Sequence, residues 1–170
     1  VIEQAHALFP EQITLVSLYI YRETGLLYLE RVDGELAPLI QTRTAHPQGA
    51  AAILVNRRTP FFVESIRQWP TALPPIADHM VASGQIQAYV GLPLMIGLCG
   101  QEEVVGALLI SLRASQRFDP ARRQALWRWA QQVALFVQNA RVIRRRRREE
   151  EAFQTISASA NAGNPVEVAE

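Results

Sequence analysis

The sequence predicts an α+β domain in which an antiparallel sheet is covered by helices. Two apolar runs at residues 13–21 and 26–32, separated by a Glu-Thr-Gly turn, are typical of a β-hairpin. Further along the chain, apolar runs at residues 87–97 and 104–113 indicate a second pair of neighbouring strands. Helical patterns stand before, between and after these two strand pairs. Strands that are joined by a short turn are expected to be antiparallel.

The first two predicted helices have recognisable ends. Residues 1–12 carry apolar side chains at helical spacing, and Pro10 ends the pattern because proline cannot continue a helix. Residues 47–58 are predicted to form a second helix, which His46 or Thr44 could cap at its start.

Between this helix and the second strand pair, the sequence predicts three short elements. Residues 61–63 are apolar and aromatic and indicate a short strand. Residues 69–75 form a loop punctuated by prolines, and residues 76–83 indicate a short helix that Gly84 ends.

A long helix is predicted to begin at Asp119 and Pro120, which stand in the preferred order of a cap followed by a first-turn proline. We expect it to continue through a run of arginines to Ile156, and residues 161–165 to break it. Its predicted core positions recur at helical spacing, at Leu126, Trp129, Val133, Phe136, Ala140 and Ile143.

Composition places the chain among globular proteins. It has 170 residues, of which 49% are hydrophobic, and it contains no apolar run near the roughly 20 residues that cross a bilayer. No charged-then-apolar leader stands at its start, and because it begins at Val1 we expect a piece of a longer protein. One cysteine, Cys99, excludes an internal disulfide and a multi-cysteine zinc site. We expect a soluble cytoplasmic domain without a membrane partner.

Basic charge is concentrated in one segment. Residues 113–148 carry a net charge of +10, whereas residues 1–112 carry −4 and residues 149–170 carry −5. Five consecutive arginines at residues 144–148 precede three glutamates, so a helix here would carry Arg-Glu pairs four residues apart. We interpret the block as a solvated signalling helix. A nucleic-acid contact is the weaker alternative, since no aromatic residue interleaves the arginines, and a membrane-surface contact would need an adjacent apolar face.

Three stretches of the chain resemble GAF domains, over roughly residues 5–145. The first is the hairpin with its Glu-Thr-Gly turn, and the second is the helix that runs into Asn-Arg-Arg-Thr-Pro-Phe-Phe-Val-Glu at residues 56–64. The third contains Val-Gly-Leu-Pro-Leu at residues 90–94, Val-Gly-Ala-Leu at residues 105–108, Phe-Asp at residues 118–119 and Gln-Asn-Ala at residues 138–140.

The resemblance implies a central antiparallel sheet of about five or six strands, with the terminal helices on one face and a ligand pocket with its lid on the other. It also implies a sensor domain of a bacterial signalling protein, upstream of a kinase, cyclase, phosphatase or transcription regulator in the same full-length chain. We assign residues 1–145 to this domain, residues 146–163 to a charged helical linker of coiled-coil type, and residues 164–170 to a following domain or linker.

Departures from the family patterns limit the ligand. Cyclic-GMP-binding members carry Asn-Lys and Asp-Glu pairs, whereas here Arg57 follows Asn56 and no Asp-Glu pair follows Phe118. Bilin-binding members place a histidine beside their cysteine, and Cys99 has no such neighbour. We therefore predict neither cofactor and leave the ligand unknown.

The sequence does not predict an enzyme. It contains no glycine-rich phosphate loop, zinc-protease motif or serine-hydrolase motif. The three histidines, His6, His46 and His79, lie far apart, which makes a metal or catalytic cluster improbable. Cys99 lacks the resolving thiol that sulfoxide reduction would require, and nearby Glu102 and Glu103 oppose a reactive thiolate.

We expect a ligand pocket at the segment between the short strand and the second strand pair. Aromatic side chains there could stack on a planar ligand while polar ones orient it. The alternative is that these side chains only close the core beneath a lid. The predicted ligand-binding residues are Glu64, Trp69, His79, Gln87 and Tyr89.

The long helix carries more apolar surface than one sheet face needs, which predicts a homodimer. We expect a parallel pair that relays a ligand-driven shift toward an output domain. The alternatives are that all of this surface packs on its own sheet, or that the domain is a ligand-free dimerisation module and spacer. The predicted dimer and signalling residues are Trp129, Val133, Phe136, Val137 and Ala140.

Overall fold

A computed structural model describes most of the chain. It describes residues 1–22, 24–40, 43–68, 85–97 and 101–162, with the side chains of the last segment described up to Ser157. Contacts divide the chain into two compact units, Val1–Leu135 and Phe136–Glu170. The predicted loop at residues 69–75, the predicted helix at residues 76–83 and the final residues 164–170 lie outside the described part.

The described residues form five strands and three α-helices, in an α+β arrangement. The sheet has the order β2-β1-β5-β4-β3, and every neighbouring pair is antiparallel. The predicted fold class is thereby confirmed. The elements are α1 (Ile2–Leu8), β1 (Ile13–Tyr21), β2 (Leu27–Asp33), α2 (Ala50–Arg57), β3 (Phe61–Val63), β4 (Ala88–Ile96), β5 (Glu103–Leu112) and α3 (Pro120–Ala162), with 3-10 turns at Ala37–Leu39 and Ile66–Gln68.

Helix α2 covers one face of the sheet. Ala107 and Leu109 of β5 pack on this face in one cluster with Leu54 and Val55 of α2 and with Tyr89 of β4. Because side chains alternate between the faces of a strand, every second residue of β5 contributes to this cluster. The cluster forms the core beneath α2.

The opposite face of the sheet carries the segment that leads into α3. Leu108, Ile110 and Leu112 alternate with the residues beneath α2 and are fully buried. Phe118, just before α3, lies with its ring centroid 5.4 Å from that of Phe62 in β3. Strand β5 is thus buried on both faces, as its almost unbroken apolar sequence predicts.

Helix α2 begins later than predicted, and neither His46 nor Thr44 caps it. Its N-cap is Gly49, and no side chain caps the first turn. The imidazole Nδ1 of His46 instead accepts a hydrogen bond from the N–H of Gln48 at 3.2 Å. That bond closes a turn before the helix, which explains the shift in the boundary. The helix ends at Arg58, whose backbone is left-handed with φ 56°.

The beginning of α3 is confirmed. The Asp119 carboxylate accepts the N–H of Arg122 at 2.7 Å, as an N-cap residue does. Leu126, Trp129 and Val133 are buried, as predicted. The other three predicted core positions are wrong, because the buried positions of the helix stop at Ala134 and Phe136, Ala140 and Ile143 are exposed. No helix in the described part of the chain is long and apolar enough to cross a membrane.

Candidate functional site

Tyr89 lies at the centre of the core beneath α2. Its ring stacks on that of Phe61, with centroids 5.8 Å apart and planes 8° from parallel. Gly91, which pairs with Phe61 across β3 and β4, makes this arrangement possible. A Cβ at Gly91 would lie 2.3 Å from the end of the Phe61 ring, so a side chain here would displace the ring.

The two tyrosines of this cluster are held in their neutral form. Burial raises the pKa of the Tyr89 phenol well above its ordinary value, and the neighbouring Tyr19 raises it further. Burial also raises the pKa of Tyr19. A neutral phenol can donate as well as accept a hydrogen bond. This face of the sheet therefore contains two hydroxyl groups among apolar side chains.

Glu64, the residue after β3, is engaged in the fold. One carboxylate oxygen accepts the N–H of Phe118 at 3.1 Å and lies 3.2 Å from a guanidinium nitrogen of Arg123. The backbone oxygen of Glu64 also accepts the N–H of Gln116 at 3.0 Å. These contacts tie the end of β3 to the start of α3.

Two of the predicted ligand-binding residues, Glu64 and Tyr89, lie on opposite faces of the sheet. Tyr89 stacks on Phe61, whereas Glu64 contacts Phe118 on the side of Phe62, and neighbouring strand residues point to opposite faces. The described contacts of the Glu64 carboxylate are structural, and its role in ligand binding stays a prediction.

Gln87 precedes β4 and is half-buried. Its N–H donates to the oxygen of Leu112 at 2.7 Å, and its own oxygen accepts the N–H of Ile66 at 2.7 Å. These bonds fix the backbone at the start of β4, and the residue stays a predicted ligand contact. Trp69, His79 and Cys99 lie outside the described residues, so the predictions made for them stay predictions.

An open cleft of about 400 Å³ lies at the C-terminal end of α2. Three elements supply its walls: the end of β1, the last turn of α2 and the beginning of β5. Several wall residues also pack in or against the core beneath α2, so the cleft lies on the same face as Tyr89. The lining residues are Tyr21, Val55, Asn56, Arg58, Glu102, Glu103 and Val104.

The cleft combines both charges with an amide at its rim. Arg58 donates to the backbone oxygen of Glu102 at 3.5 Å, which spans the cleft from α2 to the segment before β5. Asn56 and Glu103 supply further acceptors, and Asn56 a donor. A small polar ligand with an apolar edge fits this combination. The sequence analysis missed the cleft, because only the fold brings residues 56–58 beside residues 102–104.

No metal site is visible among the residues that the structure describes, where no three His, Cys, Asp or Glu side chains cluster. His6 pairs with Asp33 at 2.8 Å, which joins α1 to the end of β2. His46 accepts a backbone hydrogen bond in the turn before α2. Both described histidines thus have local structural contacts.

The predicted dimer residues divide between buried and exposed positions. The indole nitrogen of Trp129 donates to Gln4 at 3.0 Å, and Trp129 and Val133 are buried. Their apolar surface is therefore already covered within the chain. Phe136 is 65% exposed, Ala140 is exposed and Val137 is half-buried. Only these latter positions of the set leave surface for a partner.

No protein-family model matches the sequence, and no curated protein matches it significantly. Solved structures do match. The GAF domain of a phosphoenolpyruvate-protein phosphotransferase from Acinetobacter is similar with a TM-score of 0.62 at 15% identity, over 83% of this chain and 79% of that one. The GAF-B domain of DevS from Mycobacterium smegmatis is similar with a TM-score of 0.58 at 17% identity, over 84% and 91%.

A third similar structure belongs to an enzyme. The type II free methionine-R-sulfoxide reductase from Thermoplasma acidophilum matches with a TM-score of 0.59 at 17% identity, over 81% of this chain and 86% of that one. Regulatory and catalytic proteins thus share this architecture, and the similarity by itself does not separate them. Together with the five-stranded antiparallel sheet, these matches show that the chain has the fold of GAF domains.

Proposed function

We propose that this chain is a member of the GAF family and acts as a non-catalytic, small-molecule-sensing domain of a larger cytoplasmic signalling protein. The output domain is a kinase, cyclase or transcription regulator in the same full-length chain. The fold shared with GAF domains of a phosphotransferase and of DevS supports this class. The ligand stays unknown, and neither a bilin nor cyclic GMP is proposed.

The observation that carries the proposal is the polar cleft at the end of α2. It opens at the edge of the core that contains Tyr89, so a ligand could contact the sheet and α2 at once. Concave sites with a few convergent polar groups are the usual form of small-molecule sites. We propose that Arg58 and Asn56 orient the ligand, and that Gln87, Tyr89, Trp69 and His79 contribute further along the same segment.

The relay passes through β5 into α3. Residues of the cleft begin β5, and the other end of that strand leads through residues 113–119 to the start of α3. There, Glu64 and Asp119 hold the first turn of the helix. A ligand that displaces the beginning of β5 would therefore shift a strand continuous with the helix, which is the kind of small shift that sensors amplify.

The absence of catalysis is proposed on the cysteine content. Sulfoxide reduction by a thiol forms a sulfenic acid, which a second thiol normally resolves as a disulfide. Cys99 has no second cysteine within this sequence. Since an added dithiol can resolve a sulfenic acid in place of a second cysteine, the first step decides, and the neighbouring Glu102 and Glu103 oppose the reactive thiolate of Cys99. We therefore expect no turnover of free methionine sulfoxide even in the presence of a dithiol reductant, measured by loss of substrate. Turnover that Cys99→Ser abolishes would overturn this part of the proposal.

Native mass spectrometry of the purified chain tests ligand binding. We expect a bound small species under native conditions that disappears on denaturation. Arg58→Asn should lose it, because asparagine tolerates the left-handed backbone of residue 58 but removes the guanidinium. Arg31→Asn, a matched change on β2, should retain it. A species retained by both variants would place the ligand elsewhere, and no species in any variant would count against sensing.

A ligand-free dimerisation and spacer module is the second candidate. Large exposed apolar side chains on α3, among them Phe136 and Phe153, favour a partner for this helix. A dimer without any bound species in the same measurement would support this candidate. The described contacts of the arginine block at residues 144–148 do not favour a nucleic-acid partner, and we propose no such partner.

A further inference from the structure

The second compact unit exposes an apolar stripe along α3. Phe153 is 72% exposed, Ile156 is 67% exposed and Val142 is 42% exposed. Their spacing places all three on one side of the helix, within about 60° of one another at 100° per residue. Large apolar side chains this exposed on one helix side indicate a covering partner.

Charged residues interrupt the stripe in a regular order. The side of the helix that carries the apolar residues follows a seven-residue repeat with two positions in each repeat, as in a coiled coil. The first position contains, in chain order, the polar Asn139, the basic Arg146 and the apolar Phe153. The second position contains the apolar Val142, the acidic Glu149 and the apolar Ile156.

This order fits an antiparallel pair of identical helices. We propose that two copies of this chain associate through the stripe with their helices antiparallel, about a twofold axis midway between residues 147 and 148. In this register Phe153 packs on the partner's Val142, and Arg146 meets the partner's Glu149. Symmetry repeats each contact, so that two ion pairs lie at the centre with apolar layers on either side.

A parallel pair would be opposed by its charges. In that arrangement Arg146 faces the partner's Arg146 and Glu149 faces the partner's Glu149, which places like charges together in both central layers. The neighbouring charges behave similarly: antiparallel pairing sets the arginines at residues 144–146 against the partner's glutamates at residues 149–151. Arg147 and Arg148 are level with the partner's Arg148 and Arg147, and both lie off the stripe. The charges therefore favour the antiparallel pair over the parallel pair that the apolar pattern alone predicts.

The contact within the helix is compatible with this pairing. Arg145 donates from its Nε to one carboxylate oxygen of Glu149 at 2.8 Å. A carboxylate has about four acceptor positions, so Glu149 can hold Arg145 and still accept the partner's Arg146. The inference rests on the homodimer that the apolar surface of the long helix predicts, which both candidate functions can contain, and it specifies the geometry of that dimer.

Charge reversal on the full chain separates the two orientations. In sedimentation equilibrium, Arg146→Glu should raise the dimer dissociation constant about tenfold by replacing two opposite-charge layers with like-charge layers. The double variant Arg146→Glu/Glu149→Arg should restore association. Arg147→Glu, the same change one residue away from the stripe, should have a smaller effect that Glu149→Arg does not reverse. An unchanged constant for Arg146→Glu would overturn the antiparallel pairing.

Disulfide formation reports the orientation directly, in a Cys99→Ser background. A mixture of Val142→Cys and Phe153→Cys chains should form mixed disulfides, while each variant alone should remain largely unlinked. Efficient linking of Val142→Cys with itself would show a parallel pair and overturn the inference, as would a monomer at all concentrations. Native mass spectra of the same variants record the bound species, so a failure of dimer geometry and a failure of ligand sensing remain distinguishable.

Discussion

At the scale of single residues, glycines set how closely the elements of this fold approach. A Cβ at Gly106 would lie 2.2 Å from the backbone oxygen of Tyr19 on the neighbouring strand. The contact is with backbone, which cannot rotate away as a side chain can. A Cβ at Gly91 would likewise lie too close to the stacked ring of Phe61. Gly91 lies on the sheet face that carries Tyr89, whereas Gly106 lies on the face of Leu108 and Ile110.

Gly106→Val should destabilise the domain by about 3 kcal/mol, because the new side chain overpacks β1 against β5. For a chain of this size, that loss lowers the melting temperature by roughly 10 °C, measured by circular dichroism. Gly25→Asn is the control, since Gly25 has positive φ but nothing within 4 Å of a new Cβ. A Gly106→Val variant that melts with the wild type would show that β1 and β5 are not paired in this register.

The buried phenol of Tyr89 predicts an alkaline dependence of stability. Its pKa is raised in the folded state, whereas in the unfolded chain the phenol ionises near its ordinary value of 10.0. The unfolded state therefore loses a proton first, and the free energy of unfolding falls as the pH rises above about 10. Urea unfolding should show a shallower fall for Tyr89→Phe than for the wild type. Equal slopes would mean that Tyr89 is accessible to water.

At the scale of elements, one carboxylate ties the start of α3 to the end of β3. Glu64 accepts the N–H of Phe118 and pairs with Arg123, while the Arg123 guanidinium also lies 5.3 Å from the centre of the Phe62 ring. The Glu64 side chain thus joins three parts of the fold, namely the end of β3, the segment before α3 and the first turn of α3. The sequence suggested a ligand role for Glu64 because a polar side chain in this segment could orient a ligand, and only the fold shows which face of the sheet it occupies.

Glu64→Ala should cost about 1–2 kcal/mol, since it leaves the Phe118 N–H without its acceptor and removes an ion pair. Glu64→Gln should cost less, because the amide oxygen can still accept that hydrogen bond. Glu35→Ala, which removes the exposed partner of Arg113, should cost under about 1 kcal/mol. The comparison uses urea unfolding monitored by tryptophan fluorescence. Equal losses for Glu64→Ala and Glu35→Ala would refute the anchoring role.

Sequence patterns predicted the strands and helices well where local chemistry determines them. The Asp119-Pro120 start of α3 and the almost unbroken apolar run of β5 are local features, and both predictions were confirmed. The start of α2 was placed too early, because a proline and possible caps at residues 44–47 gave the same pattern as a helical first turn. The cleft could not be predicted, since it is formed by Asn56, Arg58 and Glu102, which only the sheet order brings together.

At the scale of the whole molecule, the proposed function depends on continuity of the chain from the cleft to the long helix. Strand β5 begins at the cleft and leads into α3, and α3 reaches Ala162 with its second part in a separate compact unit. A ligand and a partner copy would then act on the same continuous path. The exposed apolar and charged pattern of α3 predicts the partner, while the cleft predicts the ligand, and we expect variants at Arg146 and at Arg58 to affect them separately.

Hydrogen exchange measured by mass spectrometry tests this coupling most directly. The chain is compared as purified and after denaturation and refolding, which strips any bound species. We predict that stripping increases exchange at residues 54–58 and 101–104, which surround the cleft, and also changes exchange within α3 beyond residue 120. Identical exchange in the two samples, or changes at the cleft that never reach α3, would contradict a sensor that relays its signal through this helix.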